Sequence, residues 1–128
     1  MGIVVANAGF GVFSQFRLIS SEECQKVVRV NVLQVAYIMK IFAEQLVERY
    51  DRTGVKGGIL VTSSFLAKDP IVCLHSASKA FDSYLAESLN YELRGKVDVL
   101  SYQAGETITK MLGRFEQDIN TITAERAA

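Results

Sequence analysis

Lys79 follows His75 by four residues in the run HSASK, so on a helix the two side chains leave the same face. An imidazole and a primary amine at that spacing form a pair suited to general acid–base work. The neighbouring amine and the start of a helix both disfavour positive charge on the ring, which predicts a neutral His75 near pH 7. Two hydroxyls, Ser63 and Ser64, close the short run GGILVTSS, and Asn7, Ala8 and Gly9 follow the apolar run at the N-terminus. Cys24 and Cys73 match no metal or redox spacing and read as reduced structural thiols, so no metal site is expected.

These residues need elements to carry them. Gly2 to Phe10 opens as a β-branched run suited to a strand buried in a parallel sheet, broken into a loop by Asn7, Gly9 and Gly11. Ser20 to Glu23 has the spacing of a capping box and predicts a helix that ends at Gly54. Its apolar positions, among them Val28, Leu33, Val35, Met39, Ile41 and Leu46, make more than one stripe and predict burial on two sides. Gly57 to Ser64 is a second strand. A loop over 65–74 holds the only proline, Pro70. A second helix is expected from about His75 to Leu93, stopped by Gly95 and burying Ala77, Phe81, Tyr84, Leu85, Ser88 and Leu89. Lys96 to Gly105 is a third strand, and a short helix is expected around Ile108 to Phe115.

The order β, α, β, α, β predicts right-handed crossovers on one parallel sheet. In such sheets the ligand crevice lies outside the carboxyl ends of the strands. The polar clusters 7–9, 62–64 and 103–109 all fall at that edge.

In this order the clusters resemble the short-chain dehydrogenase/reductase family. ANAG at 6–9 is similar to its Asn-Asn-Ala-Gly turn, and Asn31 in RVNVLQV matches its helix asparagine. ILVTSS resembles the strand that delivers the catalytic serine, here Ser64. HSASKAF resembles Tyr-Ser-Ala-Ser-Lys-Ala-Phe with His75 in the tyrosine's place. QAGETITKM resembles Pro-Gly-x-x-x-Thr-x-Met, keeping Gly105, Thr109 and Met111 but with Ala104 for proline. Details such as GETITKM look closest to the steroid and very-long-chain 3-oxoacyl reductase branch.

The resemblance implies an α/β fold, a partial doubly wound (Rossmann-like) parallel sheet with helices on both faces that lacks the first βα units. Residues 1–128 would be a single partial domain, the middle and later part of that fold. It implies an NAD(P)-dependent interconversion of a small-molecule carbonyl and alcohol, with NADP or NAD as the cofactor. The implied catalytic set is Ser64, His75, Lys79 and Asn31: a hydroxyl for the carbonyl oxygen, a proton donor, a lysine that tunes the donor and bonds the nicotinamide ribose, and an asparagine that positions a water. Asn7, Ala8, Gly9, Lys79, Gly105, Thr107 and Thr109 would face the cofactor.

Three departures from the family pattern point to impaired activity. Neutral imidazole is a weaker acid than a lysine-tuned phenol, and the ring is shorter. The sequence also contains no Gly-x-x-x-Gly-x-Gly turn to cradle a pyrophosphate. Ser64 and His75 are eleven residues apart, about two fewer than the family's usual loop. A non-catalytic scaffold or dimerisation relative, or a gene fragment without independent function, is the competing expectation.

The bulk numbers agree with a single soluble-type domain: 128 residues, 49% hydrophobic and 22% charged, with zero formal net charge. No basic footprint for nucleic acid or polybasic membrane patch is present. No signal peptide is expected, and Arg29, Asn31, Gln34, Lys40, Glu44 and Gln45 interrupt the most apolar run, arguing against a membrane span. The composition is of cytoplasmic type; the branch resemblance would add an endoplasmic reticulum association. The resemblance further implies a homo-oligomer formed through the two long helices.

Overall fold

A computed structural model describes residues 2–108 and 121–123, with side chains through residue 105. Strands β1 (Ile3–Ala6), β2 (Gly57–Ser64) and β3 (Val97–Ala104) form a parallel sheet in the order β1-β2-β3. Ile3 lies opposite Gly58 and Ala6 opposite Val61; Gly57 lies opposite Val97 and Ser64 opposite Ala104. All three strands therefore end at one edge of the sheet, as the strand order requires.

Between β1 and β2 runs a continuous helix of 33 residues, Ser21–Thr53. It consists of α1 (Ser21–Val27), a π-helical stretch (Val28–Leu33) and α2 (Gln34–Thr53). The capping box is formed: Glu23 N donates to Ser20 Oγ, and Ser20 N donates to the Glu23 carboxylate at 2.9 Å. Gly54 ends the helix in the left-handed region at φ 69°, where a side chain would be strained. Helix α3 (Cys73–Glu92) joins β2 to β3 and begins two residues before the expected His75.

The core forms where α2 and α3 meet the sheet. Val35, Met39, Ala43 and Leu46 from α2 and Ala86 from α3 are buried with Val4, Ala6, Ile59, Val61, Val97 and Val99. Each fully buried aliphatic side chain contributes about 1.5–3 kcal/mol. The approach of α2 to β2 is close enough that a Cβ on Gly57 would lie 2.6 Å from Leu46 Cδ2. The long helix is apolar enough to cross a membrane by length and composition, but this stripe lies against the sheet.

The expected α/β fold, a partial Rossmann-like parallel sheet with helices packed on it, is present, and among the described residues α2 and α3 share one face; three other expectations need correction. Gly57 meets α2 and Ser63 meets α3, and these residues point to the same side of β2. The reason is topological: three strands added in one direction by right-handed crossovers carry their helices on one face. Ile3, Val5 and Leu100 point the other way and are exposed. The long helix is likewise buried on one side only, with Val28, Leu33 and Ile41 exposed.

In α3, Ala77, Tyr84 and Ser88 are exposed and Phe81, Leu85 and Leu89 only half-buried. The buried face is instead polar: His75, Ser76, Ser78, Lys79, Asp82 and Ser83, with Ala86. Apolar spacing misidentified this face because most of its polar groups are paired with one another and with backbone. Finally, Ile108 ends strand β4 (Glu106–Ile108), which pairs in parallel with β5 (Thr121–Thr123), instead of starting a helix. Residues 109–120, and with them Thr109, lie outside the described residues.

Candidate active site

The buried face of α3 meets the carboxyl ends of β1 and β2. Lys79 Nζ donates to the Thr62 carbonyl at 2.8 Å and to Asp82 Oδ2 at 2.9 Å. Two of its three N–H donors are thus used by the protein. Gly9 leaves room beside the ammonium: a Cβ there would sit 3.6 Å from Nζ and 3.8 Å from Asn31 Oδ1.

Asn31 is fully buried within the π-helical stretch. Its Oδ1 accepts from Phe10 N at 2.8 Å, while Nδ2 donates to Phe10 O and Ser78 Oγ, both at 2.9 Å. One amide therefore clamps the loop after β1 onto α3. Both N–H groups are spent, so the side chain positions protein, and any water would have to meet the remaining lone pair or the backbone. Wide helical turns of this kind are frequent at functional positions. Ser78 continues the chain by donating to the His75 carbonyl at 2.8 Å.

His75 is 6% exposed, with its ring centroid 5.5 Å from that of Phe13 and tilted by 44°. Burial pushes its pKa below the ordinary 6.5; the Lys79 ammonium pushes the same way, and the Phe10 backbone opposes. Among the described residues its Nδ1 has no hydrogen-bond partner.

Ser64 ends β2, and its Oγ accepts from Leu66 N at 3.2 Å, capping the short turn Phe65–Lys68. Among the described residues that hydroxyl bonds neither His75 nor Lys79. Ser63, on the opposite side of the strand, donates to the Lys79 carbonyl at 2.7 Å and accepts from Ser83 Oγ at 2.8 Å. Asn7 Oδ1 accepts from Thr62 Oγ1 at 2.7 Å, tying the ends of β1 and β2 together. Ala8 is exposed on the same turn, and Gly105 follows β3 at this edge. Thr107 lies in β4.

Lys79, Asn31, His75 and Gly9 are thus brought together, and Ser64 is at the right strand end but otherwise engaged. Sequence reasoning missed Asp82 and Ser78 as members of the cluster, and of the two strand-end hydroxyls it singled out Ser64 over Ser63. For Asp82 the signal was present: it stands three residues after Lys79, the spacing of a helix-face ion pair.

The family model described as short chain dehydrogenase matches residues 1–120. The chain belongs to the short-chain dehydrogenase family. An uncharacterized oxidoreductase from Myxococcus xanthus is 37% identical over 98 residues, covering 74% of this chain and 36% of that protein. Among solved structures, the 3-ketoacyl-(acyl-carrier-protein) reductase from Brucella melitensis complexed with NADH is 25% identical, with a TM-score of 0.79 over 88% of this chain and 48% of that one. The Thermococcus sibiricus alcohol dehydrogenase complexed with 5-hydroxy-NADP is also 25% identical, with a TM-score of 0.81 over 98% and 53%. The bulky-bulky ketone specific alcohol dehydrogenase from Comamonas testosteroni shares the fold, with a TM-score of 0.82 at 23% identity. The chain spans about a third of the curated relative and about half of these solved ones.

Proposed function

We propose that these residues form the carbonyl end of an NAD(P)-dependent oxidoreductase site that interconverts a ketone and an alcohol. The observation that carries this is the meeting of Lys79, Asn31 and His75 beside Gly9, where a Cβ would lie in ordinary contact with Nζ and with Asn31 Oδ1. The residues fit the nicotinamide-ribose end of a dinucleotide. Lys79 keeps one N–H donor for a ribose hydroxyl, and the missing side chain of Gly9 adds no bulk beside it. When bound, the dinucleotide supplies or accepts the hydride. The sequence has no glycine-rich pyrophosphate turn, so chain outside these 128 residues would hold that end of the cofactor.

His75 stands where a proton must pass to the carbonyl oxygen, with Lys79 one helical turn away. With its pKa held below the ordinary value, the ring carries its second proton only rarely near pH 7, and the remaining N–H is a very weak acid, so slow turnover is expected. Ser64 would steady the carbonyl oxygen only after its Oγ turns from Leu66. Phe13, Phe16, Leu18, Phe65 and Ile71 are exposed on the loops that follow β1 and β2, which favours a ketone with bulky apolar substituents, of steroid or 3-oxoacyl type.

The test compares wild type with His75→Tyr, each joined to a glycine-rich βα half from the family, in NADPH-dependent reduction of such a ketone. A gain of about 10²-fold or more is expected from a properly tuned acid. Equal rates would refute the role given to His75. Absence of turnover in both would remove the oxidoreductase proposal itself.

A further inference from the structure

His75, Lys79 and Asp82 stand at i, i+4 and i+7 on one face of α3, all buried. The lysine occupies the middle and bonds the aspartate at 2.9 Å; the aspartate side chain is fully buried. Two polar atoms among the described residues are buried without a partner, His75 Nδ1 and Asp82 Oδ1, and they belong to the residues on either side of Lys79. An acid in a dry interior is costly to keep charged, so its place beside the ammonium calls for a reason beyond packing.

We propose that Asp82 is a positioning residue that offsets the charge of Lys79 and thereby keeps His75 able to carry a proton. The inference rests on the site proposed above but concerns only this chain's own residues. A lysine without its counter-ion would drive the nearby imidazole further toward the neutral form. The carboxylate, about 10 Å along the helix from His75, counteracts that field. It also fixes the direction of the ammonium, which leaves the third N–H donor for the space at Gly9.

The surroundings leave few competitors. From the turn after β2, Lys68 and Asp69 are exposed. From α1, Lys26 lies over the Phe10 ring at 4.1 Å to its centroid. The π-helical stretch presents the uncharged Asn31, the sheet presents Thr62 and Ser63, and the loop after β1 presents Phe13. Lys79 is the charged side chain acting directly on His75.

The protein contains a single histidine, so its ring Cε1–H resonance can be followed without ambiguity during a pH titration. In Asp82→Asn the midpoint should fall, by about tenfold in proton affinity. In Asp82→Glu, which keeps the charge, it should stay near the wild-type value. Equal midpoints in wild type and a folded Asp82→Asn would overturn the proposal. Should that variant fail to fold, the wild type alone decides: the Asp82 carboxyl carbon must report an ionised group across the His75 transition, and a carboxyl that stays protonated there sinks the idea. None of these readouts depends on turnover, so failure of the oxidoreductase assignment would leave them standing.

Discussion

The inner wall of the site and its mouth are built on opposite terms. In the inner wall, Asn31, Ser78, Ser63, Ser83, Lys79 and one oxygen of Asp82 bond one another or backbone, at 2.7–2.9 Å. At the mouth, His75 Nδ1 has no partner among the described residues, Ser64 is occupied with a turn, and Phe13 shields the imidazole while remaining exposed itself. The difference separates holding from reacting: satisfied buried networks fix geometry, whereas a group that must exchange a proton needs a free valence. Changes to the wall should therefore cost stability, and changes to the mouth should mainly alter chemistry.

The largest effect should come from splitting the buried ion pair. Asp82→Ala leaves the Lys79 ammonium without its counter-charge and should destabilise by about 3–5 kcal/mol in urea unfolding. Replacing both partners, Lys79→Met with Asp82→Val, should recover most of that loss; if it does not, the pair is not the source of the cost. Next, Asn31→Ala strips partners from Phe10 N, Phe10 O and Ser78 Oγ at once. A loss of about 3 kcal/mol is expected, and below ~1 kcal/mol the clamp would be shown not to hold the loop.

A pH series sharpens the contrast from the mouth. The folded pKa of His75 lies below its ordinary 6.5, so the folded state takes up its proton less readily than the unfolded chain. Its contribution is fully present above about pH 6.5 and is lost as pH falls through the folded value. Asp82, raised mainly by burial and opposed by Lys79, runs the other way: its contribution is present below the ordinary 3.8 and lost as pH rises through its folded value. The His75 contribution to the melting temperature should therefore fall from pH 7 toward pH 5, and His75→Gln should remove that part of the pH dependence. The smallest effect is expected of Ser64→Ala, which loses one cap on Leu66 N and should cost about 0.5–1 kcal/mol, with the fold intact by circular dichroism.

Much of the frame was legible before the structure. The three strands, the capping box at Ser20, the stop at Gly54 and the second helix follow from β-branched runs, cap chemistry and glycine, all of them local signals. The parallel order followed from the crossovers. What was not legible lies on α3. Its buried face carries serines, a lysine and an aspartate, so hydrophobic periodicity pointed to Ala77, Tyr84 and Ser88, which are exposed. Pairing across 47 residues, as between Asn31 and Ser78, leaves no mark in spacing along the chain. The π-helical stretch around Asn31 is likewise set by tertiary contacts, since VRVNVL reads as ordinary helix with β-branched residues. That α2 and α3 share one face follows from right-handed crossovers adding three strands in one direction, which the βαβ pattern already contains.

The most direct measurement is an NMR titration of the protein with nicotinamide mononucleotide, which carries the nicotinamide ribose but lacks the adenosine and the pyrophosphate. Shifts at Gly9 and His75 that saturate at millimolar ligand and vanish in Lys79→Met are the predicted result. No perturbation at those two residues, or one that survives loss of the lysine, would contradict the assignment of this cluster to the nicotinamide end of a cofactor.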